Sequence, residues 1–316
     1  MKLNKSIAVL IATYNGGKYI EDLLKSLLNQ TFQDFECLIH DDGSGDGTQT
    51  ILNEYSRRYP DKFQILEYQP MGRSNKNFYS LMQNTDHPYV MFCDQDDVWL
   101  EDKIKRSYET IKMLEDTYGV DKPIAAFSDL IVVDQDLNII HPSFFHYSDI
   151  NPGMLSLPQL MTGNIAAGCT MIINRKLNQT ASSDADNPVM HDWWCMQIAS
   201  ALGYIKRIPA QPMILYRQHA DNVVGSAEFK KARNLFHKLQ NKILNLGRAA
   251  PSSYIKMQRN NAEMLSAITG EDCMWYEFLN QFAHISAKKK SERVAFYQKY
   301  NLINPHSCKW WILLWV

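Results

Sequence analysis

Residues 90–99 read VMFCDQDDVW, an apolar run of strand character that ends in three carboxylates, Asp94, Asp96 and Asp97, within four positions. Two such charges 4 Å apart repel by about 4 kcal/mol at an effective dielectric of about 20, so a compensating charge is expected. Hard divalent cations prefer oxygen ligands, and Mg2+ is commonly held by one or two carboxylates together with the phosphates of a substrate. The cluster therefore suits a cation and a diphosphate. The plain alternative, that Asp96 or Asp97 caps a helix VWLEDKIKRSYETI, explains one carboxylate and not three.

Three further positions carry comparable chemistry, each with a structural alternative. Asp41 heads the loop DDGSGDGT; at a strand end it can accept the N3 hydrogen of a uracil or thymine ring, although Asp-Gly pairs also simply form turns. That loop matches neither G-x-G-x-x-G nor G-x-x-x-x-G-K-[ST]. Asp192 in MHDWW can take a proton, or it can cap a helix whose next two residues, Trp193 and Trp194, pack the core. Both tryptophans also suit stacking on sugar faces. His219, after the extended run MILYRQ, is either a further metal or diphosphate contact or a structural residue.

The elements that must position these groups follow from periodicity. IAVLIA (7–12) is a β-branched run, and Ile20, Leu23, Leu24, Leu27 and Leu28 recur at helical spacing. FECLIH (35–40), FQILEY (63–68) and YVMFC (89–93) read as further strands. Between them lie TQTILNEYSRRY, with Asp46 or Thr48 as its cap, and a helix beginning near Asn75. Such alternation predicts an α/β fold with a mainly parallel sheet flanked by helices. Ligands of such sheets bind beyond the carboxyl ends of the strands. There Thr13-Tyr14-Asn15, the loop at Asp41 and the turn at Asp94 converge. Beyond residue 121 AAFSDLIVVD, AAGCTMIINR, YIKRIP and MILYRQH read as extended and MHDWWCMQIASAL as a helix. This resembles the variable, acceptor-facing half, about 121–225, of a single catalytic domain (1–225), the first half of which, about 1–120, is the nucleotide-sugar half. Residues 226–316 read as a helical C-terminal extension.

Composition narrows the classes. The 316 residues carry 33 Lys+Arg and 34 Asp+Glu, a net charge of -1 that argues against nucleic acid as a partner. Six scattered cysteines without a Cys-x-x-Cys pair look like reduced core residues of a cytoplasmic protein. The first residues imitate a signal peptide, but the apolar run Ile7–Ala12 flows into a periodic pattern and reads as the first strand. No run approaches the roughly 20 apolar residues that span a bilayer. Between Glu228 and Arg259 eight Lys/Arg face one acidic residue, and the chain ends KWWILLWV. Peripheral attachment at the inner face of an anionic cell membrane is one reading of that tail; a solvated basic face and an apolar docking strip is the other.

The stretch IATYNGGKYIEDLLKSLLNQTFQDFECLIHDDGSGDGT, followed by FCDQDDVW and MHDWW, resembles the family 2 glycosyltransferases of the GT-A fold over about residues 6–225. HDWW with YRQHADNVVG is similar to the bacterial rhamnosyltransferase branch. The resemblance implies that Ala12, Thr13, Tyr14 and Asp41 hold the nucleoside, with Arg73 or Lys76 beside it. Asp94 and Asp96 match the Asp-x-Asp motif that meets the ribose and a diphosphate bound to Mg2+ or Mn2+, Asp96 being the more direct ligand. Asp192 matches the base of inverting members. His191 stands where many relatives have a glutamate, which leaves its acceptor-side role open. The donor implied is dTDP-L-rhamnose, or else a UDP-hexose, and the acceptor a cell-surface polysaccharide or lipid-linked glycan. Two other classes compete. A sugar-phosphate nucleotidyltransferase would show Arg and Lys in a Gly-rich loop after the first strand, and Thr13–Gly17 lacks Arg; an inactive sugar-binding module is at odds with intact Asp41, Asp94, Asp96 and Asp192.

Overall fold

The structure, a computed structural model, describes residues 5–183, 190–209, 211–219 and 250–302. The apolar runs become β1 (Ile7–Thr13), β2 (Phe35–Asp41), β3 (Phe63–Ile65) and β4 (Tyr89–Asp94), separated by α1 (Ile20–Leu28), α2 (Thr48–Arg58) and α3 (Ser74–Gln83). After β4 come β5 (Val98–Trp99), α4 (Lys103–Tyr118), β6 (Ile124–Phe127), β7 (Ile131–Val133), β8 (Ile139–His141) and two single-turn helices, α5 (Phe144–Tyr147) and α6 (Leu157–Leu160). Then follow β9 (Met171–Asn174), α7 (Arg175–Ser182), α8 (His191–Leu202), β10 (Tyr204–Arg207) and β11 (Ile214–Arg217).

Seven strands form the main sheet in the order β10-β6-β9-β4-β1-β2-β3. Only β9 runs antiparallel to its neighbours β4 and β6. In β1 alternate residues serve opposite faces: Ala8 and Leu10 join one core cluster, with α3, α7 and α8, and Ile7, Val9 and Ile11 join the other, with α1, α2 and α4. Burial on both sides is what a continuous apolar strand needs. A second, smaller sheet has the order β5-β11-β7-β8. Through β11 it ties the turn after β4 to the stretch after β6.

Several boundaries differ from the sequence reading. α4 starts at Lys103 with Asp102 as its cap, so neither Asp96 nor Asp97 caps it; β5 intervenes because Val98 and Trp99 pair with Leu215 and Ile214 of β11. α2 is capped by Gly47, at φ 94°, while Asp46 accepts bonds from the Thr48 amide and hydroxyl one step inside. FQILEY keeps strand structure only over Phe63–Ile65, where β2 offers partners. AAFSDLIVVD splits into β6 and β7, and Gly168–Thr170 is a 3-10 turn before β9.

Helices Ala250–Thr269, Tyr276–Ala283 and Lys290–Lys299 pack on the α8 side: Leu265, Phe278, Phe282 and Phe296 belong to the same cluster as Trp194. Gln197 of α8 meets Gln258 at 3.0 Å and Asn261 at 3.1 Å. The division at 225/226, most of the basic stretch and the terminal KWWILLWV lie outside the described residues. Among the described residues no helix is long and apolar enough to cross a membrane.

Trp194 is fully buried at the centre of this cluster. Trp194→Ala should destabilise the fold by about 3–5 kcal/mol, measured by denaturant unfolding; a loss under 1 kcal/mol would show that the cluster does not depend on it.

Candidate active site

The carboxyl ends of β1, β2 and β4 lie side by side, with Thr13 opposite Asp41 and Ala12 opposite Asp94, and are joined by side-chain bonds to the backbone. At the tip of β1 the Gln95 amide accepts from the Tyr14 N–H at 2.8 Å and donates to the Tyr14 carbonyl at 2.9 Å. Gly16 makes room, because a Cβ there would come within 2.4 Å of Gln95 Oε1. Thr13 is buried and its hydroxyl donates to Asp41, whereas Tyr14 stays 59% exposed. Asp42 holds the amides of Met71 and Gly72 and so ties down the loop before α3. Arg73 and Lys76 on that stretch are exposed. Ala12, at the other side of Thr13, is partly buried and pairs in register with Asp94.

The three clustered carboxylates take separate directions. Asp94 is partly buried at the end of β4; burial, then repulsion by Asp96 and by Asp192, push its pKa up to about 7. The Asp96 carboxylate accepts from His219 Nε2, 2.7 Å from its Oδ2, and its backbone carbonyl accepts from Arg217 Nε at 3.0 Å. Arg217 also bonds the Gln135 carbonyl at 2.5 Å and Asp22 at 2.8 Å, and lies over the Tyr19 ring on which His219 stacks. Asp97 turns inward and is fully buried. Burial first, then Asp96 and Asp94, raise its pKa well above the usual carboxylate range. Its neighbours are the Cys169 thiol and the buried Lys103 ammonium, which sits 3.5 Å over the Trp99 ring.

Asp94, Asp97 and Cys169 place their ligand atoms within 4.8 Å of one another. A hard divalent cation prefers the carboxylate oxygens of this group to its thiol, while Asp96 lies outside it, paired with His219 at 2.7 Å. The mutual repulsion that raises Asp94 is what such a charge would relieve.

The Gly168–Thr170 turn brings a fourth carboxylate to the cluster. A Cβ on Gly168 would lie 3.5 Å from the Asp192 Cβ and 2.8 Å from His191 Nε2, so only glycine admits this approach. Asp192 sits in the first turn of α8. Burial raises its pKa to about 6, against bonds from the Trp193 and Gly168 amides and from the Asn164 side chain. A carboxylate poised near neutrality can take a proton.

The acceptor-side candidates are buried. His191 is buried between Phe78 and Phe92, with centroids 4.0 and 4.5 Å away, and burial drives its pKa down to about 3. It is a neutral, packed ring. Trp193 donates to the Leu160 carbonyl at 2.6 Å and, like Trp194, belongs to the core. None of the three presents an open face to a sugar. The sequence reading assigned no site role to Gln95, Gly168, Cys169 or Arg217 and grouped Asp97 with the other strand-end carboxylates; Gln95 stands in the quoted DQDD and Arg217 in the quoted YRQH.

Comparison with known proteins gives a consistent picture. The family model described as glycosyl transferase family 2 matches residues 8–179. The dTDP-rhamnosyl transferase RfbG of Shigella flexneri is 32% identical over 229 residues, 71% of this chain and 76% of that protein. Among solved structures, TarS of S. aureus in complex with UDP-GlcNAc is similar with a TM-score of 0.58 at 15% identity, over 93% of this chain and 79% of that one. A mannosyltransferase from Pyrobaculum calidifontis in complex with GDP-Man and Mn2+ gives a TM-score of 0.51 at 16% identity, over 99% and 85% of the two chains. At these identities the structures speak for the fold alone.

A prediction follows from the raised carboxyls. Asp94 and Asp192 hold protons in the folded chain up to about pH 7 and 6, above their ordinary 3.8. The cation-free fold therefore loses stability as pH rises through the window from about 4 to 7. A divalent cation binds the ionised form, so Mn2+ or Mg2+ should raise Tm more at pH 8 than at pH 5.5. Equal shifts at both pH values would dissociate the cation from these carboxyls.

Proposed function

The chain belongs to glycosyl transferase family 2 and is a glycosyltransferase of GT-A fold, and from that premise we propose that it is an inverting, cation-dependent enzyme that moves L-rhamnose from dTDP-rhamnose onto a bacterial cell-surface polysaccharide or lipid-linked glycan. The carrying observation is geometric. Asp192 lies against the Gly168–Thr170 turn and its charge acts on Asp94 at the strand end, which supports a proton acceptor next to a diphosphate site.

Each residue has a role in the proposal. Thr13, with Ala12 and Tyr14, lines the nucleoside end together with Asp41. Asp94 meets the ribose and Asp96, with His219, would hold the cation. When bound, that cation offsets the charge on the departing diphosphate. Arg217 fixes the turn that carries Asp96 through its bond to the Asp96 carbonyl. Asp192 takes the proton of the acceptor hydroxyl as its oxygen attacks the anomeric carbon from the side opposite the diphosphate. The carbon–oxygen bond to the diphosphate breaks as the new glycosidic bond forms, which inverts the configuration. Arg73 and Lys76, exposed beside the loop held by Asp42, are placed to approach the donor. A cytoplasmic enzyme with its tail on the inner membrane face fits a lipid-linked acceptor.

The rhamnose assignment rests on HDWW with YRQHADNVVG and on the likeness to RfbG. Thymine and uracil differ by a methyl group, which a pocket discriminates only about 10- to 200-fold. The sugar must decide. A 6-deoxy sugar calls for an apolar wall where a hexose calls for a polar partner, whose loss is costly. A UDP-glucosyl or UDP-galactosyl transferase is the alternative.

Asp192→Asn should bind donor normally yet lose about 10²–10⁴-fold in turnover, and wild-type turnover should fall below about pH 6 as the Asp192 carboxyl protonates. A product that retains the anomeric configuration would contradict the assignment. Asp96→Asn should abolish transfer while leaving Tm intact; full activity in excess chelator would remove the cation. Turnover with a UDP-hexose and none with dTDP-rhamnose, on the same lipid-linked acceptor, would overturn the donor.

A further inference from the structure

Asp41 at the nucleoside end is already saturated. Its Oδ1 accepts from the Thr13 hydroxyl at 2.8 Å and the Ser44 hydroxyl at 2.5 Å. Its Oδ2 accepts from the Ser44 amide at 2.9 Å and from Gln49 Nε2 at 2.8 Å. A carboxylate offers about four lone-pair sites, and protein donors fill all of them. Burial would raise the pKa of this group, but the bonds from Ser44, Gln49 and Thr13 outweigh it and hold the carboxyl below its ordinary value. No acceptor is left over for a base.

Gln49 is differently placed. It is exposed, second in α2, and held where Gly47 starts the helix in the left-handed region. A carboxylate can accept only from the NH2 end of an amide, so the bond to Asp41 settles which end is which. The carbonyl Oε1 then points away from Asp41, and among the described residues no donor reaches it. The amide thus offers an acceptor next to its second N–H.

We propose that Gln49 reads the base: its Oε1 accepts the N3–H of a uracil or thymine ring and its free N–H donates to the adjacent ring carbonyl. Asp41 is the positioning residue that orients the amide. Cytosine, which has an acceptor at N3, meets the Gln49 carbonyl with like against like and is rejected. The inference rests on the nucleotide-donor reading above and deepens it by moving base recognition from the strand end to the first turn of α2.

The test is calorimetric titration of the full chain with UDP, TDP, CDP and N3-methyl-UDP. Wild type should bind UDP and TDP at least about tenfold more tightly than N3-methyl-UDP or CDP. Gln49→Leu, at an exposed position that leaves Tm unchanged, should weaken UDP and TDP by about tenfold and bind UDP and N3-methyl-UDP alike. Gln49→Glu should also weaken UDP, because a carboxylate is repelled by Asp41 and has no N–H for the ring carbonyl. A Gln49→Leu variant that keeps the wild-type preference for UDP over N3-methyl-UDP overturns the inference alone. Wild type that binds neither UDP nor TDP removes the nucleotide-donor reading and this inference with it.

Discussion

Four carboxylates are brought to one end of a parallel sheet, and the rest of the site is arranged around their mutual repulsion. Burial raises both Asp94 and Asp192 towards neutral pH, and Asp96 and Asp192 add repulsion at Asp94. Asp96 is drawn aside by His219 and its backbone is clamped by Arg217. Asp97 is withdrawn into the core, where the Lys103 ammonium and the Cys169 thiol are its company. Burying a lone carboxylate costs several kcal/mol, and a nearby cation offsets part of that cost. The arrangement leaves Asp94 and Asp192 without a cationic partner among the causes of their shifts, and a bound cation would relieve the repulsion at Asp94.

Arg217 shows how much of the site is held by one side chain. Its three bonds reach the turn at Asp96, the turn at Gln135 and Asp22 of α1, and its plane covers Tyr19. A lysine has neither the planar fork nor the stacking surface to do the same. β11, which carries Arg217, pairs with β5 and β7, so the donor end and the acceptor-facing half are fixed relative to each other through the same strand. Asp41 does the corresponding work at the nucleoside end, where it gathers β1, the loop after β2 and α2. In both places one charged group ties several segments together through its protein partners.

The sequence determined a good deal by itself. Largely apolar runs at Ile7–Thr13, Phe35–Asp41 and Tyr89–Asp94 required strands buried on both faces, and the 3.6-residue spacing of Ile20, Leu23, Leu24 and Leu27 required a helix. These are local periodicities, and the α/β architecture and the crevice at the strand ends follow from them. The types of residue at those ends likewise named the candidates Asp41, Asp94, Asp96, Asp192 and His219. What the sequence left open was orientation, because adjacent residues on a tight turn point in unrelated directions. Asp96 faces His219 and Asp97 the core, yet nothing in DQDD separates them. The two-residue β5 was invisible for the same reason: its strand character comes from β11, more than a hundred residues away. The histidine and tryptophans of HDWW read equally as ligands or core until packing against Phe78, Phe92 and Leu160 decided for core. Whether Asp41 is free or saturated depends on Thr13, Ser44 and Gln49 reaching it at once, a count that only three-dimensional proximity can make, since hydrogen bonds are satisfied in space and not along the chain.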